Sequence, residues 1–171
     1  MLRRYLLVAI AAGLLGGIAG FATGIFVYPF WFLNDVAMET VADRAAKTAV
    51  AGGTFIHPDP NDPVHWGRGT VSVLAGRDSR VVHLGADFAV GPGPRFHVYL
   101  ADRADVQSAA DFRAAAMTDL GRLRAFQGSQ VYDIPAGVDL ARAKSVVIWC
   151  KEFGVLISPA TLKPADAAPS A

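Results

Sequence analysis

The chain of 171 residues is long enough for one ordinary domain and an appendage, and its 16 basic and 15 acidic side chains leave a net charge of +1. That balance, with no basic stripe carrying interleaved aromatics, argues against nucleic acid as a partner. Cys150 is the only cysteine, so an intrachain disulfide framework is excluded.

Arg3 and Arg4 precede a stretch that carries no charge from Tyr5 through Asn34. A bilayer crossing needs about 20 apolar residues, so this stretch is long enough to span with some tilt. A cleavable signal peptide has an apolar core of roughly 7 to 15 residues. This run continues past the small residues around Ala22 into "IFVYPFWF", where Tyr28, Trp31 and Phe32 fit an interfacial aromatic belt. The expectation is an uncleaved anchor over 1–33 that contacts membrane lipid, with cleavage near Ala22 as the alternative. Gly13, Gly17, Gly20 and Gly24 have a spacing that permits close helix approach. The positive residues before the span and Asp35, Glu39 and Asp43 after it predict a cytoplasmic N-terminus and an extracytoplasmic C-terminal portion. An unpaired thiol in an oxidising compartment then calls for an explanation.

Residues 34–51 are rich in alanine, and Met38, Val41, Ala42, Ala45 and Ala49 recur at helical spacing, which predicts a helical stalk ended by Gly52 and Gly53. Residues 52–163 read as a β domain. "GTFIH", "GTVSVL", "RVVHLG", "RFHVYLA", "GRLRAFQ", "QVYDI", "SVVIWC" and "GVLIS" have strand character and are separated by turn signals. The proline-rich "PDPNDPVH" is irregular, and a turn is expected at Gly128–Ser129. One helix is predicted around "SAADFRAAAM", with Ser108 as its N-cap. "SVVIWC" and "GVLIS" are apolar on both faces, as in strands covered on both sides. Residues 164–171 read as a frayed tail. The fold class expected is mainly β: a sandwich-like or partly closed antiparallel barrel with one short inserted helix, preceded by a single membrane helix.

Alternation puts Val146, Ile148 and Cys150 on one face of their strand, and Ser145, Val147 and Trp149 on the other. Cys150 has two readings. Free cysteine often packs as a small buried hydrophobe. A reactive thiol needs nearby positive charge or a metal, and some exposure; Lys151 points to the opposite face unless the chain turns. His57, His65, His83 and His97 lack the short spacing of recognisable metal sites, and no metal is expected. His97 and Tyr99 read as a half-exposed surface pair. His65 reads either as a turn-stabilising side chain or as the lining of a pocket mouth. No Cys-x-x-Cys-His is present, which excludes c-type haem attachment. A noncovalent haem with Cys150 as axial ligand stays open, and nothing requires one. No phosphate loop, dinucleotide fingerprint or nucleophile elbow occurs, so hydrolase chemistry has no support.

Five blocks in order carry a family resemblance: "GTF" at 53–55, His65 and Gly69 in "HWGRG", "DFAVGPGPRFHVYL", "LGRLRAFQGSQVYDIP" and "SVVIWCKEFGVLISPATL". Together they resemble the electron-transfer DM-thirteen family, and Arg95 and "RAFQG" are small departures from its pattern. The resemblance implies a β-sandwich-like module whose cysteine, Cys150, serves redox chemistry as a bare thiol or as a ligand to a prosthetic group such as haem. The resemblance also points to His65, as a member of a matched block, for the same haem or redox pocket. Two functions follow as expectations. One is a membrane-anchored extracytoplasmic redox module with an envelope redox partner. The other is a non-catalytic envelope adhesion or ligand-binding domain with a structural cysteine.

Overall fold

The computed structural model describes residues 2–32 and 36–165. The chain divides into two units, Met1–Asn34 and Asp35–Ala171. The first holds helix α1 (Leu2–Phe32), whose 31 residues extend about 46 Å at 1.5 Å per residue. Its Arg3–Ile25 segment has a mean hydropathy of 2.1 and is wholly unburied, so one helix is long and apolar enough to span a membrane. The expected aromatic belt lies among residues whose side chains fall outside the described set, as do residues 166–171 of the expected tail.

The second unit is two β-sheets packed face to face. The strands are β1 (Val36–Met38), β2 (Thr48–Thr54), β3 (Gly67–Arg68), β4 (Thr70–Ala75), β5 (Arg80–Leu84), β6 (Ala89–Val90), β7 (Phe96–Ala101), β8 (Met117–Arg122), β9 (Gln127–Asp133), β10 (Ser145–Cys150), β11 (Val155–Thr161) and β12 (Lys163–Pro164). The larger sheet runs β12-β2-β4-β5-β9-β6-β3, with β1 added in parallel to β9. The smaller runs β11-β10-β7-β8, all antiparallel. The two sheets stay separate and form no closed barrel, so the sandwich alternative holds.

Period-2 alternation builds the core. Val71, Val73, Val82, Leu84 and Tyr132 from the larger sheet meet Phe96, Val98, Leu100, Val146, Ile148 and Ile157 from the smaller. The smaller sheet is buried on its other face too. Helix α2 (Ala109–Ala114) lays Phe112 on Tyr99, Val147, Trp149 and Leu156. Ser108 caps α2 by accepting a hydrogen bond from Asp111 N–H, as the sequence predicts. Every residue of β10 is buried, in keeping with its unbroken apolar run.

The predicted helical stalk at 34–51 is overturned. Val36–Met38 is a strand, Arg44–Ala46 a single 3-10 turn and Thr48–Thr54 a strand paired with β4. Alanine's helix preference is weak against tertiary pairing. Glu39 also fixes the segment: its carboxylate takes Arg124 Nε at 2.5 Å, Arg124 Nη2 at 2.6 Å and Val131 N–H at 2.8 Å. Gly53 does not stop a helix; a Cβ there would collide with the Thr161 carbonyl of β11. The expected turn at Gly128–Ser129 lies inside β9, where Gly128 adopts φ +87° and lets the Ala37 carbonyl of β1 approach. The strand predicted across "GRLRAFQ" is split, because β8 ends at Arg122 and β9 begins at Gln127.

Candidate functional site

Cys150 is the last residue of β10, with Phe96 and Val155 as its Cα partners on either side. Its side chain joins the inner core and is 2% exposed. A tight turn over Lys151–Gly154 follows at once and closes this end of the sandwich. Gly154 N–H donates to the Cys150 carbonyl at 2.9 Å and Lys151 N–H to the Arg95 carbonyl at 3.0 Å. Arg113 Nη2 donates to the Gly154 carbonyl at 2.7 Å. Gly154 has φ +63°, a left-handed conformation that favours glycine. Phe153, at the tip, is 58% exposed.

The structure does not link His65 to Cys150. His65 lies in the loop after Ile56, where Nδ1 meets Asp62 Oδ2 at 2.6 Å and Asp62 Oδ1 accepts the N–H groups of Val64 and His65. This is an Asx-type turn in which His65 stabilises the loop. His57 meets the carbonyl of the same Asp62, while His83 meets the Ser129 hydroxyl elsewhere, and none of the three is placed beside Cys150. Among the described residues, no three His, Cys, Asp or Glu side chains gather as a metal-binding group. A haem on Cys150 does not fit this packing. The sulfur points into a core whose members Val98, Val146, Ile148 and Ile157 are fully buried. Three clefts, at Asp102–Arg142, Val50–Leu162 and Gly76–Ile134, include neither Cys150 nor His65.

A second constellation occupies the outer face of the same sheet. A bulge between Val98 and Tyr99 shifts the β7–β8 register so that Tyr99 faces Asp119. Gly121, at φ +120°, accommodates the bulge, and its N–H donates to Asp119 Oδ1 at 2.9 Å. Three side chains converge on the same carboxylate: His97 Nδ1 at 2.9 Å, Tyr99 Oη at 3.1 Å and Lys151 Nζ at 3.0 Å. Burial works to raise the Asp119 pKa, but the His97, Lys151 and Gly121 hydrogen bonds outweigh it and hold it at about 2. Burial, then the Asp119 charge, pushes the Tyr99 phenol up, so it stays protonated beside an ionised acceptor. The Tyr99 ring meets Phe112 edge-on at 5.2 Å, and Phe112 meets Trp149 at 4.5 Å.

Alternation in "RFHVYL" places His97 and Tyr99 on one face, as the structure bears out; the chain turns at Lys151, whose Nζ reaches Asp119 beside them. Tyr99 is nevertheless buried rather than half-exposed. Sequence reasoning missed Asp119, since only a register shift brings it to Tyr99. Gly121, two residues on, is the one available signal.

A family model described as "Electron transfer DM13" matches residues 61–162, a span that includes His65, Tyr99, Asp119 and Cys150. No curated protein and no solved structure matches the chain.

Proposed function

The chain belongs to the electron transfer DM13 family, and from that premise we propose a redox module tethered to a membrane, with its β domain extracytoplasmic and Cys150 as its working sulfur. The match over residues 61–162 carries the reading. The apolar Arg3–Ile25 segment supports the tether, and Arg3 and Arg4 ahead of it support the orientation. Tethering confines the domain to partners at the same membrane and raises their effective concentration.

Burial dictates how the sulfur works. A thiol 2% exposed meets no partner sulfur until the Lys151–Gly154 turn opens. Once exposed, the Cys150 thiolate attacks a partner disulfide. A new sulfur–sulfur bond forms to Cys150, the partner's bond breaks, and its second sulfur leaves as thiolate. The partner is a disulfide-bearing envelope protein.

The same burial favours a second reading, a ligand-binding envelope domain in which Cys150 is packing alone. One experiment separates the two. The full chain is placed in liposomes with a glutathione redox couple outside. Reversible glutathione attachment to Cys150 in the folded chain, tracking the glutathione poise, supports the redox module. Attachment only after denaturation supports the structural role. Protease added to intact cells tests the orientation: loss of the β domain is expected, and survival until lysis overturns the extracytoplasmic placement.

A further inference from the structure

The Asp119 constellation distinguishes one aromatic side chain from the others of the domain. Removing an electron from an aromatic ring is opposed by a nearby cation and eased when a base takes the phenolic proton. Arg124 lies 4.3 Å from the Tyr132 ring centroid, Arg113 5.4 Å from that of Trp149 and Arg68 5.8 Å from that of Trp66. Tyr132 Oη donates to the Gln130 amide oxygen at 2.8 Å, which is no base. Tyr99 also has a cation beside it, Lys151, but that charge is paired with Asp119, the carboxylate to which Tyr99, alone among these rings, donates. Its ring is 7% exposed, which shields it from bulk water, while the Asp119 side chain is 33% exposed and can pass a proton to solvent.

We propose that Tyr99 is a redox-active phenol of this domain, giving one electron to a one-electron oxidant of the haem-iron or cupric class as its proton moves to Asp119 Oδ2. The products are a neutral phenoxyl radical, a carboxylic acid at Asp119 and an oxidant reduced by one electron. One electron from a reduced partner, with return of the proton from Asp119, restores the phenol. The Tyr99–Phe112–Trp149 contacts run along the outer face toward Cys150, the residue after Trp149. His97 and Lys151 fix the carboxylate under the phenol and act as positioning residues. The use of this step rests on the electron-transfer reading, but the step does not require Cys150.

The test uses the full chain in detergent micelles with flash-generated ruthenium(III) tris-bipyridine as oxidant, read by transient absorption and electron paramagnetic resonance. A phenoxyl signal is expected in the wild type, in Cys150→Ala and in Tyr132→Phe. Tyr99→Phe, which keeps the ring packing, should lose it. Asp119→Asn should slow its formation by about a hundredfold, the scale of a positioned general base, and remove the solvent deuterium isotope effect. A radical on an indole, a phenoxyl signal that survives Tyr99→Phe, or an unchanged rate in Asp119→Asn overturns the proposal. Electrode exchange by the wild type that persists without any Tyr99 phenoxyl leaves the electron-transfer reading standing and this inference refuted. A Tyr99 phenoxyl in a chain with no electrode exchange does the reverse.

Discussion

The proposed exposure of the Cys150 thiol through opening of the Lys151–Gly154 turn can be sized from the hydrogen bonds that hold the turn. Opening the turn breaks three hydrogen bonds: Gly154 N–H to Cys150, Lys151 N–H to Arg95 and Arg113 to Gly154. At about 1 kcal/mol net each, opening costs about 3 kcal/mol and slows thiol modification roughly a hundredfold relative to the unfolded chain. Gly154→Ala forces a Cβ onto a residue at φ +63° and sets it 3.1 Å from Arg113 Nη2. The left-handed conformation adds about 1–2 kcal/mol for a residue with a Cβ, so labelling should speed up about tenfold. The assay follows chromophore release from an aromatic disulfide reagent with the full chain in micelles, and circular dichroism confirms that the variant stays folded. A wild-type rate equal to that of the unfolded chain would show that the core does not shield the sulfur. A Gly154→Ala rate equal to wild type would show that the turn is not the gate.

Replacing the sulfur tests its surroundings. Cys150→Ser puts a hydroxyl into an apolar core and should destabilise the domain by about 1 kcal/mol more than Cys150→Ala in denaturant unfolding, whereas equal costs would indicate a polar partner there. Glu39→Ala removes a two-pronged contact with Arg124 and the acceptor for Val131 N–H. Because both side chains of the pair are partly exposed, the expected loss is about 1–2 kcal/mol, with faster proteolysis of residues 36–47; unchanged protease resistance would show that the clamp does not hold the segment. Asp119 titrates at about 2 in the fold against about 3.9 unfolded, so its contribution is complete above about pH 4 and lost as pH falls toward 2. After screening this is worth about 1 kcal/mol, and Asp119→Asn should flatten that part of the acid-unfolding curve; an unaltered curve refutes the assignment.

Strand positions, the α2 cap and the two faces of β7 and β10 are legible in the sequence because alternation and turn residues act locally. The stalk was misread for the opposite reason. Nothing local to Ala49 or Ala51 announces that Leu74 and Val73 of β4 lie beside them, and pairing overrides propensity. Alternation groups Cys150 with Val146 and Ile148 on one face but does not say which face is inner; its burial depends on Phe96 and Val155 arriving from other strands. His65 stands in a family block, and the structure gives it a local partner, Asp62, three residues away. The Asp119 constellation depends on a one-residue register shift, which leaves almost no trace in a hydrophobicity pattern.

Electrochemistry of the full chain in an electrode-supported bilayer bears most directly on the role given to Cys150. With oxidised glutathione supplied as the partner disulfide, a reversible thiol–disulfide wave that is present in the wild type and absent from a folded Cys150→Ala chain is the expected result. An identical wave in Cys150→Ala would contradict it and move electron transfer away from the sulfur.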